Sequence, residues 1–145
     1  MKALIEKIYG IFGRFTDLPL LLIRLTLGAI FLQTGYGKLT NFAGTVEFFS
    51  SLGIPFPVIN AALASVTEFV GGALLIAGLM TRLVSIPLTV VMVVAILTAQ
   101  LPELEGLSDF VRLSEWDYIL FFILLICTGA GRVSVDYLVK RGLKK

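Results

Sequence analysis

Apolar residues dominate four stretches of this chain, and most of the polar residues lie between them. The four stretches run over residues 18–36, 58–80, 83–101 and 116–130. A helix that crosses the hydrocarbon core of a bilayer needs about 20 residues at a rise of about 1.5 Å per residue, so each stretch approximates one span. The pattern predicts a single all-α integral membrane domain over residues 1–145, built as a bundle of four transmembrane helices.

Two shorter segments have the spacing of amphipathic helices. Residues 2–15 alternate apolar and charged side chains in a way that is typical of a helix on the inner leaflet, although a frayed terminus fits equally well. In the loop over residues 40–57, apolar side chains recur at helical intervals at Phe42, Val46, Phe49 and Leu52. That loop is therefore predicted to hold a short helix at the outer membrane interface, either roofing a cavity or lying on the surface without function.

Composition supports a membrane location and excludes several kinds of site. Hydrophobic residues make up 57% of the chain and charged residues 15%, whereas about a quarter of an average soluble domain is charged. Cys127 is the single cysteine and histidine is absent, which excludes a dithiol redox pair, a His-ligated haem and most transition-metal sites. We expect no metal and no flavin site, so electrons for any redox reaction would come from a partner subunit or a soluble reductant.

Charge is distributed unevenly between the predicted loops. One side of the predicted membrane domain collects the cations Lys2, Lys7, Arg14, Arg82, Arg132, Lys140, Arg141, Lys144 and Lys145. The other side collects six carboxylates and keeps the cations Lys38 and Arg112. The positive-inside rule then predicts cytoplasmic termini and a basic cytoplasmic tail over residues 132–145. The modest basic excess suits anionic lipid headgroups and not nucleic acid.

The second apolar stretch contains an acidic residue, Glu68, which is a candidate functional group. A charge at the centre of a membrane costs roughly 2.5 kcal/mol or more, so it needs a partner. Arg24 and Lys38 lie on one face of the first span, and Glu68 is followed by the small residues Gly71 and Gly72.

We expect Arg24 to lie about two helical turns from Glu68 and to pair with it. The pair would either fix the register of the two helices or border a polar pocket. Alternatively, the Arg24 side chain extends to the cytoplasmic interface. Lys38 lies at the outer end of its span. We expect it to serve first as an anchor at the membrane interface and only second as a ligand-binding group.

Several short motifs, taken together, resemble the DoxX family of small four-helix membrane proteins. They are Arg24, Gly35-Tyr36-Gly37-Lys38-Leu39, Gly53-Ile54-Pro55, Glu68-Phe69-Val70-Gly71-Gly72, Gly78-Leu79-Met80-Thr81-Arg82 and Gly129-Ala130-Gly131-Arg132-Val133-Ser134-Val135-Asp136. The resemblance implies a bacterial or archaeal inner-membrane protein, in a family named for subunits of a terminal quinol oxidase and of thiosulfate:quinone oxidoreductase. It equates Arg24, Lys38 and Glu68 with the family's intramembrane arginine, lysine and glutamate. Where the family often has Gly-Pro-Gly-Arg, this chain has Ala130, a change expected to affect the turn and not the chemistry.

These observations favour a quinone- or quinol-binding component of a membrane oxidoreductase system over a self-sufficient enzyme. Glu68 and Arg24 are the candidate catalytic residues. Candidate substrate-binding residues are Lys38, Tyr36, Gln33, Gln100 and Tyr118. The alternatives are a non-catalytic membrane anchor or scaffold for soluble redox partners, and a carrier of small molecules or lipids. Membrane lipids, a redox partner subunit and a second copy of the chain are the expected partners.

Overall fold

The computed structural model describes residues 17–104 and 106–143, and in that part of the chain every regular element is a helix. The predicted amphipathic segment over residues 2–15 lies outside the described residues. The α-helices are α1 Asp17–Thr40, α2 Phe42–Ser51, α3 Pro57–Ala77, α4 Thr81–Ala95, α5 Leu107–Val111, α6 Ser114–Thr128 and α7 Val135–Gly142. A π-helical turn, Ile96–Gln100, extends α4 and is followed by a 3-10 turn, Leu101–Glu103.

Among the described residues, three helices are long and apolar enough to cross a membrane: α1, α3, and α4 together with its π-helical turn. They agree with the first three predicted spans, and α2 confirms the predicted short helix in the first loop. The turn between α3 and α4 comes earlier than predicted: α3 ends at Ala77, three residues before the predicted end at 80, and α4 begins at Thr81, two residues before the predicted start at 83. The reason is that Gly78 and Met80 adopt left-handed conformations. Helix α6 ends at Thr128 after 15 residues and is shorter than these three helices.

Close backbone contact fixes how α1 packs on α3. A Cβ atom added to Gly28 would lie 2.9 Å from the carbonyl oxygen of Gly72, and one added to Gly35 would lie 2.7 Å from the Cα of Phe69. Position numbers rise along α1 as they fall along α3, so the two helices are antiparallel. Glycine lets two backbones approach in this way, as it does in many membrane helix pairs.

A second helix pair, α4 and α6, packs against the first through an apolar core. Leu88 of α4 lies against Gly71 of α3, where an added Cβ would meet its Cδ1 atom at 3.0 Å. Between the pairs, the ring of Phe31 lies 5.2 Å from that of Phe122. The buried apolar residues of this core are Leu27, Phe31, Leu75, Val84, Leu88, Met92, Ile96, Ile119, Phe122 and Leu125.

The start of α1, the α3–α4 turn and the α6–α7 link meet at one end of the bundle, which we call the turn end. The backbone N–H of Arg132 donates to Asp17 Oδ1 at 2.8 Å. Asp136 is bound to the α3–α4 turn by its backbone N–H, which donates to the Gly78 carbonyl at 3.0 Å. The Asp136 carboxylate also accepts hydrogen bonds from the N–H groups of Met80 and Thr81, so it caps α4.

Because these segments meet at one end, the helices α1, α3, α4 and α6 alternate in direction. The opposite end, which carries α2, is called the loop end.

Candidate functional site

Glu68 lies near the middle of α3 and forms an ion pair with Lys38 of α1. The Lys38 Nζ atom donates to Glu68 Oε1 at 2.5 Å. Only 1% of the Glu68 side chain is exposed, against 33% of the Lys38 side chain. The second carboxylate oxygen, Oε2, is buried and has no hydrogen-bond partner within the described residues. Glu68 therefore keeps an unused acceptor atom inside the protein.

The predicted pairing of Arg24 with Glu68 is wrong. Arg24 lies beside Gly78, ten residues along α3 from Glu68, which corresponds to about 15 Å at about 1.5 Å per residue. Its Nη2 atom donates to the carbonyl oxygen of Val133 at 2.6 Å. The physical reason is the close contact of Gly35 with Phe69, which brings the following turn of α1, with Lys38, to the level of Glu68. Lys38 is thus a partner of Glu68 and not simply an interfacial anchor.

Arg24 is the centre of a separate polar cluster at the turn end. The side chain is 1% exposed, and its Nη1 atom lies so close to Gly78 that a Cβ there would overlap it. The nearby carboxylate of Asp136 favours the guanidinium charge electrostatically, without an ion pair between the two groups among the described residues. The cluster joins α1, the α3–α4 turn and the C-terminal segment, so it is suited to holding helix ends together.

A cavity of about 970 Å³ lies between the two helix pairs towards the loop end. Pockets for small molecules typically measure about 300–1,000 Å³, so this one can hold a ring-sized head group and more. Phe48, Phe49 and Leu52 of α2 line the cavity with residues 53–55, as the interpretation of this segment as a roof predicts. Lys38 and Glu68 line the same cavity, so the ion pair faces a space that a ligand could occupy.

The α4/α6 pair brings a second polar group to the cavity. Gln100, Glu115 and Tyr118 all line it. The Gln100 amide donates to Glu115 Oε1 at 3.3 Å, and the Tyr118 ring contacts Phe31 edge to face at 5.6 Å. Gln100 ends the π-helical turn, an irregularity that is frequent at functional sites.

The structure brings together four of the seven predicted site residues: Glu68, Lys38, Gln100 and Tyr118. Tyr36 is exposed and packs on the outer side of Phe69, with 6.5 Å between ring centroids. Gln33 is also exposed, and neither residue is among those that line the cavity. Glu115 was missed, because in the sequence it is one of several acidic residues between the third and fourth spans. Its position directly before the predicted fourth span, which begins at residue 116, was the available signal.

Comparison with known proteins gives consistent results over most of the chain. The family model described as DoxX matches residues 19–101. The chain is 32% identical over 130 residues to "Putative oxidoreductase CatD" of Bacillus subtilis (strain 168), covering 88% of this chain and 92% of that protein. It is 31% identical over 139 residues to "Inner membrane protein YphA" of Escherichia coli (strain K12), covering 88% of this chain and 95% of that protein. No solved structure matches the chain.

Proposed function

The chain belongs to the DoxX family of membrane proteins, and from this membership and the cavity geometry we propose that it binds a quinone or quinol. The protein then acts as one component of a membrane oxidoreductase system. Its relative CatD carries the name of an oxidoreductase, which agrees with this proposal. The side chains at the cavity bind the head group and exchange protons with it. Electrons are exchanged with a redox partner subunit, or are supplied by a soluble reductant when the quinone is reduced.

The observation that carries the proposal is the unused Oε2 atom of Glu68. A buried acceptor without a hydrogen bond costs roughly 1–3 kcal/mol, and more when it is charged. A quinol hydroxyl in the cavity can donate to this oxygen and later transfer its proton there. The Lys38 ammonium group, beside Oε1, donates to the oxygen of the oxidised ring and stabilises negative charge on it. One residue pair thus serves both redox forms of the ligand.

The second polar group supports the choice of a ring with two oxygens on opposite sides. Lys38 and Glu68 belong to the α1/α3 pair, whereas Gln100 and Tyr118 belong to the α4/α6 pair. An amide and a phenol can each donate a hydrogen bond. A quinone that bridges the helix pairs can therefore use donors at both carbonyl oxygens, with Phe31 and Met92 against its faces.

The proposal includes four membrane crossings, with α6 as the fourth, and both termini in the cytoplasm. The described chain begins and ends at the turn end, which also carries Arg82, Arg132, Lys140 and Arg141. By the positive-inside rule that end faces the cytoplasm. An inner-membrane location agrees with the name of the relative YphA. A fluorescent protein fused to the C-terminus should fold and fluoresce, whereas a periplasmic phosphatase fused there should stay inactive.

Carriage of a lipid or small molecule is the second candidate function. It is favoured by widely exposed apolar residues in the cavity lining, such as Leu63 and Val90. The scaffold alternative needs no ligand in the cavity. A binding experiment with quinones and phospholipids separates the three ideas.

The experiment measures the binding of menadione, a naphthoquinone without a tail, to the protein held in lipid nanodiscs. Trp116 is the single tryptophan and is next to Glu115, so quenching of its fluorescence reports binding. We expect saturable quenching for the wild-type protein. Reduced menadione should bind about tenfold more weakly to Glu68→Gln than to the wild type. That factor corresponds to about 1.4 kcal/mol, the contribution of one charge-assisted hydrogen bond. Gln33→Ala, outside the cavity, is the matched control and should bind normally.

Absence of saturable binding to the folded wild-type protein would exclude the quinone proposal. Selective binding of a fluorescent phospholipid in its place would favour the carrier. Binding of neither compound would leave the scaffold as the better account.

A further inference from the structure

Helices α3 and α4 separate from each other towards the loop end. They touch where Leu88 packs on Gly71, just to the turn side of Glu68. Beyond that contact the cavity separates them, and its lining includes residues from both helices. Several lining residues of the two helices are also widely exposed, with Leu63 61% and Val90 56% exposed. The cavity is therefore open sideways, between two membrane-spanning helices.

The lining of this opening differs chemically from the rest of the cavity. Its exposed wall is made of the aliphatic residues Leu63, Ile86, Val90 and Val94. The polar lining residues Lys38, Glu68, Gln100 and Tyr118 are each more buried than these four. A ligand that binds here thus meets hydrogen-bonding groups at one end and a hydrocarbon surface at the other.

We infer that the opening between α3 and α4 is a groove for the polyisoprenoid tail of the quinone whose head group lies at Lys38 and Glu68. This inference rests on the proposed function. A head group held at the middle of α3 leaves its tail at the depth of the bilayer interior, where the opening meets the lipid. The tail then passes out between Leu63 and Val90 and continues among the lipid chains.

The opening also provides the route of entry. Lipid tails are as apolar as the groove, so the tail gains little free energy from burial there, and shape decides whether it fits. A long-tailed quinone can enter from the bilayer head first without exposing its tail to water. Filling the groove should therefore exclude long-tailed quinones and spare a tailless one.

The test uses Val90→Trp and Leu63→Trp, one substitution on each wall of the opening. Leu97→Trp is the matched control, because Leu97 is exposed on the π-helical turn that extends α4 but does not line the cavity. Menadione binding to nanodisc-held protein is measured by calorimetry, with and without a long-tailed menaquinone in the nanodisc lipid. In the wild type and Leu97→Trp, the long-tailed quinone should compete with menadione.

In the two groove variants, menadione affinity should change by less than about threefold, while competition by the long-tailed quinone should weaken by about tenfold or more. Undiminished competition in both variants would overturn the groove and leave the quinone site standing. Loss of menadione binding in both folded variants would also overturn it, because the opening would then belong to the head-group site. Failure of menadione to bind the wild type would overturn both proposals.

Discussion

Lys38 and Glu68 are joined at 2.5 Å, but they differ greatly in their access to the surroundings. The glutamate is enclosed on α3, whereas a third of the lysine side chain is exposed near the end of α1. If the carboxylate charge is removed, the lysine can reorient towards the interface. If the ammonium charge is removed, the enclosed carboxylate cannot reorient towards the interface in the same way. The cost in stability should therefore be larger for removing the lysine charge than for removing the glutamate charge.

Lys38→Met should lower stability more than Glu68→Gln. Removing one partner of a buried pair typically costs about 3–5 kcal/mol, and the partial exposure of Lys38 reduces this to about 2–4 kcal/mol for Lys38→Met. Glu68→Gln should cost about 1 kcal/mol, because the amide keeps the shape and the lysine is free to move. Thermal unfolding in detergent, followed by circular dichroism, gives both values.

The double variant Lys38→Met with Glu68→Gln is the control for the charge argument. It should be more stable than Lys38→Met alone, since no uncompensated charge remains. Equal losses in the two single variants, with simple addition in the double one, would contradict the asymmetry.

Gly35→Ala should disrupt the packing of α1 on α3, while Gly37→Ala should not. A methyl group at Gly35 would overlap the backbone of Phe69, whereas one at Gly37 would meet nothing within 4 Å. We expect a loss of about 1–3 kcal/mol for Gly35→Ala from overpacking, and a small gain of up to about 1 kcal/mol for Gly37→Ala from helix propensity. Both are read from the same unfolding measurement. Similar values for the two variants would mean that the helices do not touch there.

Gly78→Ala should cost more than Gly53→Ala, although both glycines have left-handed backbone angles, φ 67° and 70°. The shared backbone penalty is about 1 kcal/mol. At Gly78 the added methyl group also occupies the position of the Arg24 guanidinium, whereas at Gly53 it meets nothing within 4 Å. We therefore expect a total loss of about 2–4 kcal/mol at Gly78. Matching losses would show that Arg24 does not pack on this turn.

Arg24→Met should loosen the C-terminal segment and leave the cavity intact. The substitution removes the donor to the Val133 carbonyl and a positive charge that interacts with Asp136 through space. Cleavage by trypsin at Lys140 and Arg141 should become about tenfold faster, in line with a loss of about 1.4 kcal/mol for a hydrogen bond from a charged group. Menadione affinity should be unchanged, which a role for Arg24 in binding the head group would not allow.

The positions of the long helices could be predicted from the sequence, because they depend on local hydrophobicity and length. The pairing of Glu68 with Lys38 could not be predicted from the sequence. Arg24 and Lys38 share one face of α1, so periodicity treats them alike, and only the offset between α1 and α3 decides between them. That offset is fixed by contact of Gly35 with Phe69, a long-range relationship that helical spacing does not contain.

The contribution of the second helix pair was predictable only in part. Gln100 and Tyr118 stood out as polar groups near the ends of apolar stretches, and both line the cavity. Glu115 joins them through its contact with Gln100, which depends on how α4 packs against α6. The double role of Asp136, as a cap for α4 and a neighbour of Arg24, likewise depends on a turn that brings distant segments together.

The hydrogen bond from Arg24 to Val133 joins positions 109 residues apart, and this separation sets an order for biosynthesis. The first span leaves the ribosome with its arginine lacking this acceptor, and the acceptor is made only after α6. A chain that stops before residue 133 therefore retains an uncompensated cation in its first membrane helix. We expect such a fragment to be less stable than the full chain, because its guanidinium lacks the carbonyl that the folded chain supplies.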